Sequence, residues 1–378
     1  ATDDAHVWAE KYSGTLDDVF QIQEEVSRSI VDALKLKLSP EEEQKITERP
    51  TDDIQAYEVH LRAQYEMLRL TEEGLERAQQ IITDGLDAVG DNEILYADMG
   101  QVYLWYVDAA IKKEESYLDK AEEYAQKVFT LNPESSHVHL LRGWIHKRRG
   151  NIQEAVRELQ QALTIDPNNL ASLQHQAWIL ISMGKGMAAR PLVEKLVDID
   201  PLTPMNHMMV GVNELMDGKC SSALEPLGKS HQLDRENPIF RFWYAKGFAY
   251  VSRYDEAYTL LNSIEQDAPQ TFWAQLSGFF RNALQGKKNE ALQSVTEEFR
   301  ILMREDDIFP LWMAESYSLI DERDEAINWL ESGTKYGLIN YPFLNEYDPF
   351  LENIRGEEQF VKLMERVKHE WEHFEVWL

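Results

Sequence analysis

SHVHLLRGWIHKRRGNIQEAVRELQQALTIDPNN, residues 136–169, holds one full copy of a 34-residue pattern. Gly143 is followed twelve residues later by Ala155, and Ala155 twelve later by Pro167. The same intervals return as Ala177, Ala189 and Pro201, as Gly211 and Ala223, and as Ala245, Ala257 and Pro269. Two helices cross closely only where side chains are small, so Gly or Ala on a first helix facing Ala on a second marks a crossing. Pro then stops the pair, and the Asn or Asp before it in Asn132-Pro133, Asp166-Pro167 and Asp200-Pro201 suits the turn into the next pair. Within a unit the turn falls on Gly150, Gly184, Gly218 and Gly286, each five residues before the second-helix alanine. Unrelated amphipathic helices with chance alanines would not keep this register.

The spacing and residue types resemble the tetratricopeptide repeat. That resemblance implies an all-α fold: a right-handed superhelical solenoid of about eight helix-turn-helix units that binds a protein or peptide partner. With the second-helix alanine as marker, the units carry Ala78, Ala121, Ala155, Ala189, Ala223, Ala257, Ala291 and Ala326, stepping by 43, 34, 34, 34, 34, 34 and 35. Unit one has an insertion around LTEEG (70–74), and unit two has about nine extra residues near VDAAIKKEE.

A chain of 378 residues would ordinarily be two or three globular domains, but a repeat array grows in one dimension and escapes that limit. The 67 acidic residues outnumber 38 basic ones for a net charge of −29, which argues against nucleic acid or an anionic membrane surface as partner. One cysteine, Cys220, excludes an intrachain disulfide framework and suits a reducing compartment, so the cytoplasm is the expected location. There is no run of about 18 apolar residues and no basic-then-apolar leader, hence no membrane span or signal peptide is read. A start at Ala1 rather than Met suggests a fragment of a longer protein.

Ahead of the array, HVWAEKY (6–12) has strand-like content. As an orphan strand it is expected to be disordered or to pair with another copy in a homodimer. Thr15 and Asp18 then open a helix with Val19, Ile22, Val26, Ile30 and Leu34 on one face. This stretch resembles the last strand and helix of the TolB-like domain that precedes tetratricopeptide repeats in many bacterial signalling proteins. Residues 1–49 are therefore assigned to a TolB-like remnant, 50–337 to the array, and 338–378 to a C-terminal loop and capping helix. Phe360, Leu363 and Val367 stripe that last helix. The tail resembles those ending the tetratricopeptide regions of bacterial proteins with an upstream kinase, nucleotide cyclase or winged-helix domain, which implies an interaction or sensory module.

His369-Glu370-Trp371-Glu372-His373 matches H-E-x-x-H, in which two His one turn apart bind zinc and the Glu acts as base. Only five residues follow, so a third ligand is not expected downstream, and a zinc metallopeptidase ranks below a scaffold. No cofactor and no enzymatic activity are expected. A purely structural spacer is the other alternative.

In tetratricopeptide arrays the first helices line the concave face. The positions six and three before the small residue, and one, four and five after it, share one side of each first helix. They hold Trp105 in unit two, Trp144 in three, Trp178 in four, Met205, Met208, Val212 and Met216 in five, Phe242 and Tyr250 in six, and Trp273 and Phe280 in seven. Such a stripe makes either a core or an apolar peptide-binding groove. The groove is the expectation here, because Gly, Ala and the second-helix apolar residues already fill the packing positions. Lys147, Arg148 and Arg149 add a basic spot able to meet an acidic ligand. Domains of the family that hold the C-terminal carboxylate of chaperones carry several Lys and Asn at these positions, and this chain departs from that pattern.

Overall fold

The computed structural model describes residues 19–33 and 53–376, apart from 70, 110, 113, 270 and 305. All regular elements among the described residues are helical. The strand expected at 6–12 lies outside them. The helix expected after Thr15 is α1, Val19–Ala33. The chain divides after Pro133 into two compact bodies.

The first body holds units one and two: α2 (Ile54–Met67) with α3 (Glu72–Val89), and α4 (Glu93–Asp108) with α5 (Glu115–Leu131). The second holds six units. Their first helices are α6 (Ser136–Arg148), α8 (Leu170–Ser182), α10 (Pro204–Met216), α12 (Pro238–Tyr250), α14 (Phe272–Leu284) and α17 (Phe309–Leu319). The second helices are α7 (Ile152–Ile165), α9 (Gly186–Ile199), α11 (Cys220–Leu233), α13 (Tyr254–Asp267), α15 (Lys288–Gln293) and α18 (Arg323–Thr334). In units three to six every first helix has 13 residues and every second helix 14, the source of the constant step.

All eight marker alanines are 0% exposed. The small residues opposite them are needed as well: a Cβ on Gly143 would lie 2.7 Å from Leu159 Cγ, and one on Gly211 would lie 2.5 Å from Leu227 Cγ. Ala257→Leu is accordingly expected to cost about 1–3 kcal/mol through overpacking, read as a lower melting midpoint.

One local device makes each within-unit turn of the second body. Gly150, Gly184, Gly218 and Gly286 take φ between 67° and 77°, and Ser252 and Asp321 stand at the same place in units six and eight with φ of 60° and 62°. The next amide reaches back to a first-helix carbonyl in each, as in Lys185 N to Leu180 O at 2.8 Å and Lys219 N to Glu214 O at 2.9 Å. This left-handed cap satisfies carbonyls that the helix end leaves unpaired. The second helices that follow need no side-chain cap, whereas α6, α8, α12 and α14 begin on Ser135, Asn169, Asn237 and Thr271 side chains.

Unit seven departs from the pattern. Its second helix stops at Gln293, and Thr296 caps a fresh short helix, α16 (Glu297–Leu302). The chain then loops through Asp306 and Asp307 into α17. After α18 come a π turn (Phe343–Tyr347), a 3-10 turn (Pro349–Ile354) and the last helix, α19 (Glu358–His373).

Candidate interaction site

Within the second body the inner positions of the first helices face one another and the chain's own C-terminal segment. Trp144, Met208, Val212, Met216, Phe242, Tyr250 and Phe280 are buried, while Trp178, Met205 and Trp273 are half-buried against the same core. The Phe242 ring centre lies 4.9 Å from that of Trp312, 5.9 Å from Trp273 and 6.0 Å from Phe280. Trp243 lies 5.3 Å from Trp312 and 6.4 Å from Trp178. Units four, six, seven and eight thus share one aromatic core, and these positions do not stand open to solvent in this conformation. Trp105 belongs to the first body, where it is half-buried on α4.

Residues 338–350 complete the cover. Ile339 N donates to Ser182 O at 3.2 Å. Asn340 Nδ2 donates to Met216 O at 3.1 Å and Ile181 O at 3.4 Å, while its Oδ1 accepts from Phe343 N at 3.1 Å. One side chain therefore ties the ends of α8 and α10 to the segment and caps its next turn. The fit is close: a Cβ on Gly184 would come 2.6 Å from Asn340 Oδ1, and one on Gly218 would come 2.8 Å from the Tyr347 ring.

A second internal contact fills the basic spot. Asp307 Oδ2 accepts from Trp178 Nε1 and Ser182 Oγ, each at 2.8 Å, and Lys147 Nζ stands 4.0 Å from Oδ1. Arg148 Nη1 donates to Asp306 at 3.4 Å. Burial and the neighbouring Asp307 charge push the Asp306 carboxyl up to about 6, against the pull of Arg148 and Lys147.

Deeper in, Lys246 on α12 pairs with Glu315 on α17, both fully buried. Tyr250 donates its hydroxyl to Glu315 Oε1 at 2.5 Å. The Phe280, Tyr250 and Phe350 rings surround the ammonium at 4.9, 5.3 and 5.8 Å. Asp348, from the C-terminal segment, is buried with them and bonds Phe350 N at 2.9 Å. Burial, followed by the Glu315 charge, holds its carboxyl well above the usual range.

Sequence reading missed Lys246, Glu315, Asp306 and Asp307. The first two carried a signal. Each stands one residue after the small residue of its first helix, the place held by Trp144, Trp178 and Val212 in units three to five. A charge at an otherwise apolar repeat position asks for a partner.

The last helix starts against unit eight and ends on units three and four. Lys185 Nζ donates to Trp371 O at 2.7 Å and lies 4.7 Å above the Trp371 ring. Gln153 exchanges bonds with the Glu375 backbone at 3.1 and 3.4 Å. His369, Glu370 and His373 are exposed, and His373 Nδ1 donates to His369 O at 2.7 Å. Among the described residues no group of three or more His, Cys, Asp or Glu is placed to hold a metal ion. No described helix is long and apolar enough to cross a membrane. In the first body, buried Asp98 accepts from His60 Nδ1 at 2.8 Å and Gln64 Nε2 at 2.9 Å. Leu61 and Tyr65 line a shallow pocket of about 620 Å³ there.

This repetition of two-helix units around small-residue crossings defines a helical-repeat scaffold. Residues 61–264, more than half the chain, match the tetratricopeptide repeat family, and the chain belongs to it. Its general role is therefore protein–protein interaction, in a family of scaffolds that are in general not enzymes. A stretch of 68 residues is 40% identical to the Rhizobium meliloti (strain 1021) protein named "Putative adenylate cyclase 3", covering 18% of this chain and 12% of that one. Another of 125 residues is 27% identical to Tetratricopeptide repeat protein 7B of Homo sapiens, covering 32% and 15%. The matches thus span a small part of either relative's length. Among solved structures, Pseudomonas aeruginosa pilF matches at a TM-score of 0.42 with 19% identity, over 53% of this chain and 90% of that one. YrrB, described as a TPR protein with an unusual peptide-binding site, matches at 0.35 with 14% identity, over 51% and 95%.

Proposed function

We propose that this chain is the interaction module of a larger, cytoplasmic bacterial signalling protein. In this reading the inner face of units three to seven binds a partner's peptide in competition with the chain's own segments. The carrying observation is that this face already holds a peptide: Ile339 and Asn340 bond the ends of α8 and α10, and Asp307 sits between Trp178 and Ser182. Trp144, Trp178, Met205, Met208, Val212, Met216, Phe242, Tyr250, Trp273 and Phe280 then serve as the wall and floor of a self-occupied groove, not as an open surface. The signalling setting draws support from the TolB-like resemblance and from the stretch shared with a protein named as an adenylate cyclase.

Asn340→Ala is the test. It removes the Asn340 donor from Met216 O, while Ile181 O keeps the Gly184 amide at 3.0 Å, an effect of about 1–3 kcal/mol at that contact. Hydrogen exchange across 338–347 is expected to speed up about tenfold or more while the helical signal holds. A labelled Leu338–Ile354 peptide, weakly bound by the parent, is expected to bind the variant well. A loosened segment with no peptide capture would show that the face is ordinary core.

A further inference from the structure

We infer that Lys147 and Arg148 at the end of α6, with Trp178 and Ser182 on α8, form a carboxylate-binding site for an acidic residue followed by apolar ones in a partner peptide, with Asp306-Asp307-Ile308-Phe309 as its internal occupant. This inference rests on the proposed inner-face reading and assigns the partner's chemistry.

Three observations carry it. The four receptor residues stand at inner positions of two successive repeats: Trp178 one residue after the small residue, Lys147 four after it, and Arg148 and Ser182 five after it. The array itself therefore builds the notch. The grip is specific, because an indole N–H and a hydroxyl converge on one carboxylate oxygen at 2.8 Å, with an ammonium 4.0 Å from the other. Donors fixed on two helices before an acid arrives are what carboxylate recognition needs.

Third, the occupant fits imperfectly. It is delivered by the loop that follows the break in the unit-seven helix, and it brings two adjacent acids side by side. Asp306 stands beside Asp307: its Oδ1 accepts from Ile308 N at 2.9 Å and Phe309 N at 3.3 Å and its Oδ2 from Arg148 at 3.4 Å, yet loss of solvent and the neighbouring Asp307 charge raise its carboxyl to about 6. At neutral pH the docked loop carries that burden, whereas a partner supplying a single acid at the Asp307 place does not. Ile308, the next residue, is buried, and the Phe309 ring centre lies 5.7 Å from that of Phe272 on α14, so apolar contacts with another helix follow the acidic pair. The chain's net charge of −29 opposes an acidic peptide at long range, but salt screens that repulsion more than the close contacts of a buried site.

The test uses the full chain and a fluorescein-labelled Asp-Ile-Phe-Pro peptide with an amidated C terminus. Asp306→Asn with Asp307→Asn weakens the internal competitor, and binding is expected to tighten at least about tenfold as the competent fraction rises. Adding Lys147→Gln and Trp178→Phe should return it to the parent's level or below. Asp306→Asn alone moves the other way. It relieves the crowded acid, seats the loop more firmly and should weaken peptide binding about threefold or more. Equal binding by parent, single and double variants overturns the inference. So does a double variant that unfolds, since Asp307 would then be a structural fastener. If the Leu338–Ile354 peptide binds the Asn340→Ala chain while the acidic peptide binds no variant, the carboxylate assignment falls and the inner-face reading stands; failure of both peptides removes both.

Discussion

Lys246→Met is expected to lower the stability of the Glu134–Leu378 body by about 3–5 kcal/mol, read as a drop in urea midpoint at unchanged slope. Met nearly matches the volume of Lys, so packing is not what is lost. Glu315, 0% exposed, would instead keep a charge in the core with its ammonium partner gone. Removing both ends, Lys246→Met with Glu315→Leu, is expected to recover most of the loss, because an apolar pair of similar size needs no compensation. A single variant as stable as the parent would mean that water reaches the pair.

Asp348 sets the pH dependence of the same cluster. Burial and the Glu315 charge raise its carboxyl, so the folded chain holds a proton that the unfolded chain releases near the ordinary carboxylate value. That contribution is fully present at low pH and is lost as pH rises through the raised value. Asp348→Asn keeps the shape of the neutral acid and can still accept from Phe350 N. It should leave the fold intact and flatten the dependence, whereas Asp348→Ala should also lose the cap.

The repeat register was legible because it rests on local sterics that recur at a fixed interval. Ala155, Ala189, Ala223 and Ala257 had to be small for helices to cross, and a left-handed residue had to follow each first helix. Even where Ser252 and Asp321 replace glycine, the interval to Ala257 and Ala326 marks the turn. The break after Gln293 had no such sign, since Ser294-Val295-Thr296 contains neither Gly nor Pro and the event is a new cap at Thr296. What fills the inner face was less legible still. Trp178 meets Asp307 across 129 positions and Lys185 meets Trp371 across 186, and no periodic pattern encodes a pairing at such separations. The sequence shows an apolar stripe on the first helices, but a stripe alone does not distinguish a partner's segment from the chain's own.

Met208→Glu with Phe242→Glu is expected to abolish the cooperative fold of the second body. If these residues lined an open groove, the pair would leave the helical circular-dichroism signal and melting midpoint unchanged and remove only peptide capture. Their side chains are 2% and 0% exposed, and three aromatic rings pack around Phe242 within 6.0 Å. Loss of the Phe242 ring alone removes about 3–5 kcal/mol. Each new carboxylate must then either ionise in apolar surroundings, at several kcal/mol, or take up a proton with its acidity displaced by about 3 to 5 pH units. Together these terms match or exceed the roughly 5–15 kcal/mol that ordinarily separates folded from unfolded chains. Met187→Glu provides the control: on α9 in the same body and 86% exposed, it should change stability by no more than about 0.5 kcal/mol. A double variant that melts with the parent's midpoint would mean that the inner face opens readily in solution, and it would make the self-occupied groove a weakly held state.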